Sequence, residues 1–205
     1  MDKIALPEPV FGQCTTVFEA LKMRRTSRTI GDRPISVQIL ADVLWAAQGI
    51  NRDRGPFGDP GRTAGSASNS REILVYVAMK DGTYLYEPGR HELIPVTSND
   101  IRPLAIGAAQ RPAGATAPVR LIYVVDIDRF KTAGFQEPGL YDTETQKSYY
   151  FVGTGLIAEN VYLAASGLGL ATWFHNCNKE AVAKELDLGP QQRAVFGQTL
   201  GYEDE

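Results

Sequence analysis

A chain of 205 residues with 43% hydrophobic and 22% charged residues can bury an ordinary core, and its length suits a single domain spanning 1–205. A net charge of -3 with both signs interspersed gives no field to hold nucleic acid, and no basic run suggests a lipid surface. The longest strongly apolar stretches, Ile73 to Met79 and Leu121 to Val125, fall far short of the roughly 20 residues a membrane span requires.

The start of the chain, residues 1–12, reads as an extended arm. Asp2, Pro7, Glu8 and Pro9 stand where a secretory signal would need a basic start and an apolar stretch, so cytoplasmic residence is expected. Cys14 and Cys177 form no CxxC, and His91 and His175 are isolated, so no metal site is expected and two unrelated thiols are favoured over a disulfide.

The spacing then predicts a helix over Thr16 to Met23, followed by the basic cluster Arg24, Arg25 and Arg28. Ser36 is placed to cap a second helix through Ala47, with Val37, Leu40, Val43, Leu44 and Ala47 on one face and Gly49 as its stop. Residues 51 to 70 are rich in glycine and read as one long loop. Ile73 to Met79 reads as a buried strand, and Thr83 to Tyr86 with Glu92 to Val96 as a hairpin turning at Pro88-Gly89. A short helix near Asp100 to Ala109 and a Gly/Pro/Ala loop lead to the strand Val119 to Asp126. A long helix over about Glu144 to Ser166 follows, with small residues that allow close packing. Leu170 to Phe174 reads as a short strand, Asn178 as the cap of a helix through Leu186, and Arg193 to Tyr202 as the last strand.

Two constellations can carry chemistry. Arg24, Arg25, Thr26, Ser27 and Arg28 place three guanidinium groups and two hydroxyls within five residues, a good donor set for a phosphate monoester. On composition alone, the plainer reading is a solvated basic helix end. Gly65, Ser66, Ala67, Ser68 and Asn69 form a small-residue stretch that lets backbone approach a flat ligand, although by itself it is only a loop. No phosphate-binding glycine motif and no nucleophile with a histidine base is present, which leaves room for chemistry done by a cofactor.

In order, EALKMRRTSRTI, LADVLWAAQGINR, GRTAGSASNSREILVYVA, VGTGLIAENVYLAASGLGLATWFHN and LDLGPQQRAVFGQTLGY resemble the nitroreductase family. The likeness covers nearly the whole chain and is closest to the small branch related to azoline-forming oxidases. It implies an α+β fold, a mixed β-sheet flanked by helices, in an intertwined homodimer with the long helix at its centre. It also implies FMN, held by Arg24, Arg25 and Thr26 at the phosphate and ribityl chain, with Arg28 at the pyrimidine end of the ring. Gly65, Ser66, Ala67 and Asn69 would reach the flavin from the other subunit, with Gly65 standing where the family usually has proline. Gln110 would read the uracil-like edge, and Phe174, His175 and Asn176 would line the ring near N5 through their backbone.

The same resemblance implies hydride transfer from NADH or NADPH to a small organic acceptor such as a nitroaromatic, quinone or enone, with ping-pong kinetics. The alternatives are a flavin dehydrogenase or oxidase of azoline-like substrates and a non-catalytic flavin-binding protein. His175 is tempting as a proton donor, but its backbone is the more economical role, and Cys177 reads as a buried spectator. Larger family members carry bases beyond the last strand. The acidic GYEDE end is expected either to leave the phosphate to Arg24, Arg25 and Arg62 or to go with weaker FMN binding.

Overall fold

The computed structural model describes residues 1–12, 15–110 and 116–204. Cys14 and most of the Gly/Pro/Ala loop before the Val119 strand lie outside them.

Nine strands and four α-helices appear among these residues: β1 (Ile4–Ala5), α1 (Val17–Met23), α2 (Val37–Gln48), β2 (Ile50–Arg52), β3 (Gly61–Arg62), β4 (Ile73–Met79), β5 (Gly82–Glu87), β6 (Glu92–Thr97), β7 (Val119–Asp126), α3 (Thr143–Gly167), β8 (Ala171–His175), α4 (Lys179–Glu185) and β9 (Gln192–Gly201). Seven of the strands form one sheet in the order β1-β6-β5-β4-β7-β9-β8. The α+β class agrees with the sequence reading. The expected mixed sheet does not, because every pairing in it is antiparallel. Consecutive β4, β5 and β6 are joined by short turns, and that connectivity allows only antiparallel neighbours.

The two central strands explain the layering. β4 and β7 are apolar at nearly every position, so both of their faces must be covered. Val75, Val77, Leu121, Tyr123 and Val125 point to the side packed by α2 and α3. Leu74, Tyr76, Ala78, Ile122 and Val124 point the other way, against Ile101, Ala105, Cys177, Val182 and Leu186. This is the period-two alternation of a strand, buried twice.

Three further expectations differ from the structure. Residues 51 to 70 are not one structureless loop, since β2 and β3 pair antiparallel and Ala67–Asn69 forms a 3-10 turn. The proposed helix near Asp100 is a series of turns ending in a 3-10 turn at Ala108–Gln110, where Pro103 removes a backbone donor. The N-terminal arm is also more than an arm, because Ile4 and Ala5 extend the sheet edge beside Leu93 and Glu92. No helix among the described residues is long and apolar enough to cross a membrane.

Candidate functional site

Thr16 opens α1 through a capping box: its side chain accepts from the Glu19 amide, and the Glu19 carboxylate accepts from the Thr16 amide at 3.0 Å. The helix ends at Arg24, and the basic segment runs on in extended form beside β8, with the Ser27 amide donating to the Thr172 carbonyl at 3.1 Å. Where α1, the N-terminal end of β8 and the last turns of α3 meet, they leave a cavity of about 450 Å³. Lys22, Arg24, Arg25, Ser27, Tyr162 and Glu203 line it, together with small residues at Gly169 and Ala171.

Each of the three arginines has a definite partner. Arg24 lies over the Tyr162 ring, 5.2 Å from its centroid, with Glu159 at 4.0 Å. Arg25 is ion-paired with Glu203, whose second oxygen accepts from the Ser27 hydroxyl at 2.8 Å. The Thr26 hydroxyl is 3.1 Å from the Tyr162 hydroxyl, which also accepts from the Phe174 amide at 2.9 Å. Arg28 lies over the Trp173 ring at 5.3 Å. Tyr162 therefore ties the basic segment to the Phe174 backbone, and the Phe174 N–H, expected to face flavin N5, is already bonded to it.

The three residues of the Phe174 loop differ in character. Phe174 is half-buried against Tyr123 and Phe196, and Asn176 is exposed. His175 is buried, with Nδ1 2.9 Å from the Asn176 carbonyl and Nε2 2.7 Å from the Thr199 hydroxyl. A carbonyl can only accept, so Nδ1 carries the proton and Nε2 accepts from Thr199. Burial pushes this imidazole down to about 4. Neutral and bonded at both nitrogens, its ring is no proton donor to a substrate. Gln110 lies close by, since the Gly107 amide donates to the Asn176 carbonyl and a Cβ on Gly107 would meet Gln110 Oε1 at 2.9 Å. Cys177 is buried, which pushes its thiol up to about 11.

Gly65, Ser66, Ala67 and Asn69 form a separate group. Ser68, Asn69 and Arg71 all adopt positive φ, a cluster of left-handed non-glycine residues that is uncommon outside turns under constraint. The Ser66 hydroxyl accepts from the Arg71 amide at 3.0 Å, and Asn69 Oδ1 accepts from Arg71 Nε at 3.3 Å. Gly65 and Ser66 share a small cavity with Gly153 and Ile157 of α3. Gly153 and Tyr162 are nine positions apart on that helix. They consequently lie on opposite sides of it, about 180° apart and about 13 Å along the axis. Within one chain the Gly65–Asn69 segment and the arginine segment do not meet. Arg62 belongs with the former: it donates to Gln48 Oε1 at 3.1 Å and does not join Arg24 and Arg25.

Tyr162, Glu203 and the buried Glu72 escaped the sequence reading. A tyrosine on an apolar helix reads as core, an acid in GYEDE reads as tail, and Glu72 follows a basic residue in a loop. No local pattern marks any of the three.

The Nitroreductase family model matches residues 21–202. The chain belongs to the nitroreductase family. A candidate nitroreductase of Methanocaldococcus jannaschii is 30% identical over 161 residues, covering 75% of each chain. The crystal structure of a candidate nitroreductase from Ralstonia eutropha JMP134 superposes with a TM-score of 0.84 at 27% identity, over 99% of this chain and 90% of that one. An NADPH:FMN oxidoreductase from Vibrio harveyi, solved with NAD+, shares the fold at a TM-score of 0.62 and 19% identity, over 92% of this chain and 69% of that one. The family is one of oxidoreductases, and this chain is an oxidoreductase of that general kind.

Proposed function

We propose that this nitroreductase-family chain acts as a homodimer that binds FMN between its subunits, takes hydride from NADH or NADPH and delivers it to a small organic acceptor. The observation that carries the reading is the cavity of about 450 Å³ lined by Lys22, Arg24, Arg25 and Ser27. Its donors suit a phosphate monoester: guanidinium groups supply paired N–H bonds to oxyanions, an ammonium supplies a point charge, and a hydroxyl completes the set.

The residues divide the work. Arg24, Arg25 and Ser27 would bind the phosphate, and Thr26, braced by Tyr162, would stand beside the ribityl chain. Arg28, seated on the Trp173 ring, would present a permanent positive charge toward the pyrimidine end of the ring. A fixed cation there favours the electron-rich form of any bound ring system. Gln110 and Asn176 would offer polar groups at the ring edge, and the His175 ring, held in the fold, would leave only its backbone to the site. When bound, FMN supplies a centre that accepts hydride from one partner and releases it to the next.

The dimer is supported by two further observations. The Gly65–Asn69 segment and the arginine segment lie on opposite sides of α3, so both can serve one flavin only if two copies contribute. α1 and α3 also leave large apolar side chains in the open: Val17 and Phe18 at 66% and 84% exposure, and Val152 and Leu156 at 62% and 48%. Apolar surface of this kind is stabilised by a partner.

Incubation with FMN followed by gel filtration tests the reading. The protein is expected to elute yellow, with the visible bands of oxidised flavin, and to bleach when NADH or NADPH is added without oxygen. A colourless protein that takes up no FMN would overturn it.

A further inference from the structure

We propose that Glu203 is an internal anion that occupies the phosphate-recognising side chains of the cavity and has to swing away before a phosphate monoester can bind. The inference rests on the FMN reading above and adds a built-in competitor to that site. One Glu203 oxygen accepts from the Ser27 hydroxyl at 2.8 Å and the other is ion-paired with Arg25. A carboxylate held by a guanidinium and a hydroxyl makes the same contacts that a phosphate oxygen would make. Those two partners hold the Glu203 carboxyl below the usual carboxylate range, so it is charged at neutral pH.

The backbone fixes where this competitor sits. Glu203 forms an isolated antiparallel bridge with Ile30, the Asp204 amide donates to the Thr29 carbonyl at 3.0 Å, and the Gly31 amide donates to the Tyr202 carbonyl at 3.0 Å. The segment is laced to the strand-like run just after the arginines, and displacement is therefore a side-chain rotation that leaves the backbone in place. The Glu203 side chain is 44% exposed, so a short rotation puts its carboxylate in water.

The charges facing it decide the consequence. α1 and the segment after it bring Lys22, Arg24 and Arg25, and α3 brings Glu159, which is 4.0 Å from Arg24. With Glu203 in place, an incoming phosphate meets a like charge and finds Arg25 and Ser27 engaged. With Glu203 rotated out, it gains both. A ligand without a phosphate is indifferent to the exchange.

Flavin fluorescence titrations with FMN and with riboflavin, on the full chain and on Glu203→Gln, test the proposal. Glu203→Gln is expected to bind FMN about three- to tenfold more tightly while leaving riboflavin binding unchanged. Glu203→Ala should show the same shift, and thermal melts should show both variants folded. Unchanged FMN binding would overturn the proposal, and weaker binding would overturn it and make Glu203 a positioning residue for Arg25. An equal shift for riboflavin would overturn it as well. If neither the parent chain nor the variants takes up FMN, the FMN reading falls too, whereas FMN uptake indifferent to Glu203 removes only this inference.

Discussion

At the scale of single residues, His175 carries the sharpest pH consequence. Its imidazole stays neutral in the fold down to about 4, whereas an unfolded histidine protonates near 6.5. Below 6.5 the unfolded chain binds the extra proton, so stability is complete above that pH and is lost as the pH falls from 6.5 toward 4. The loss approaches roughly 3 kcal/mol. His91, between the Tyr86 hydroxyl and the Pro7 carbonyl, has its pKa lowered by burial and adds in the same direction. Urea unfolding between about pH 7 and about pH 4.5 should show this decline, and His175→Gln should flatten part of it. A parent chain equally stable across that range would contradict the buried, doubly bonded ring. The sequence marked His175 as the residue just past a short strand but not which way its ring turns. That is decided by Thr199, 24 positions away on a neighbouring strand.

Elements were legible where their signals are local. The Ser36 side chain accepts from the Ile39 amide at 3.2 Å, as its place before the apolar run predicts, and Asn178 does the same for α4. Ser36→Ala should cost about 1 kcal/mol in urea unfolding, whereas no change would mean that the cap contributes nothing. β4 and β7 were readable because they are buried on both faces and apolar throughout. The β2–β3 ribbon was not, since its pairing of Ile50 with Arg62 depends on a turn that glycine and proline composition marks only as loop. Gly197 is a second case of a demand visible only in three dimensions. A Cβ there would come within 2.2 Å of the Ala105 carbonyl oxygen and 2.9 Å of the His175 ring. Gly197→Ala should therefore destabilise by about 2 kcal/mol or more, and a neutral result would contradict the close approach of Ala105 to β9.

At the scale of the whole molecule, the family and the α+β class were readable because ordered segments span almost the entire chain. The antiparallel character of the sheet was not, because strand direction follows from connections and not from strand composition. In the proposed dimer, one flavin site needs side chains from two copies of the chain. Mixing two defective variants tests it most directly: Arg24→Ala with Arg25→Ala in one chain, and Ser66→Ala with Asn69→Ala in the other. Each alone should bind FMN poorly. Denatured together and refolded, half of the dimers would be mixed, and each mixed dimer would hold one intact site and one doubly defective site. FMN uptake should return to about one quarter of the parent stoichiometry. Uptake no greater than that of the separate variants would contradict a site shared between subunits.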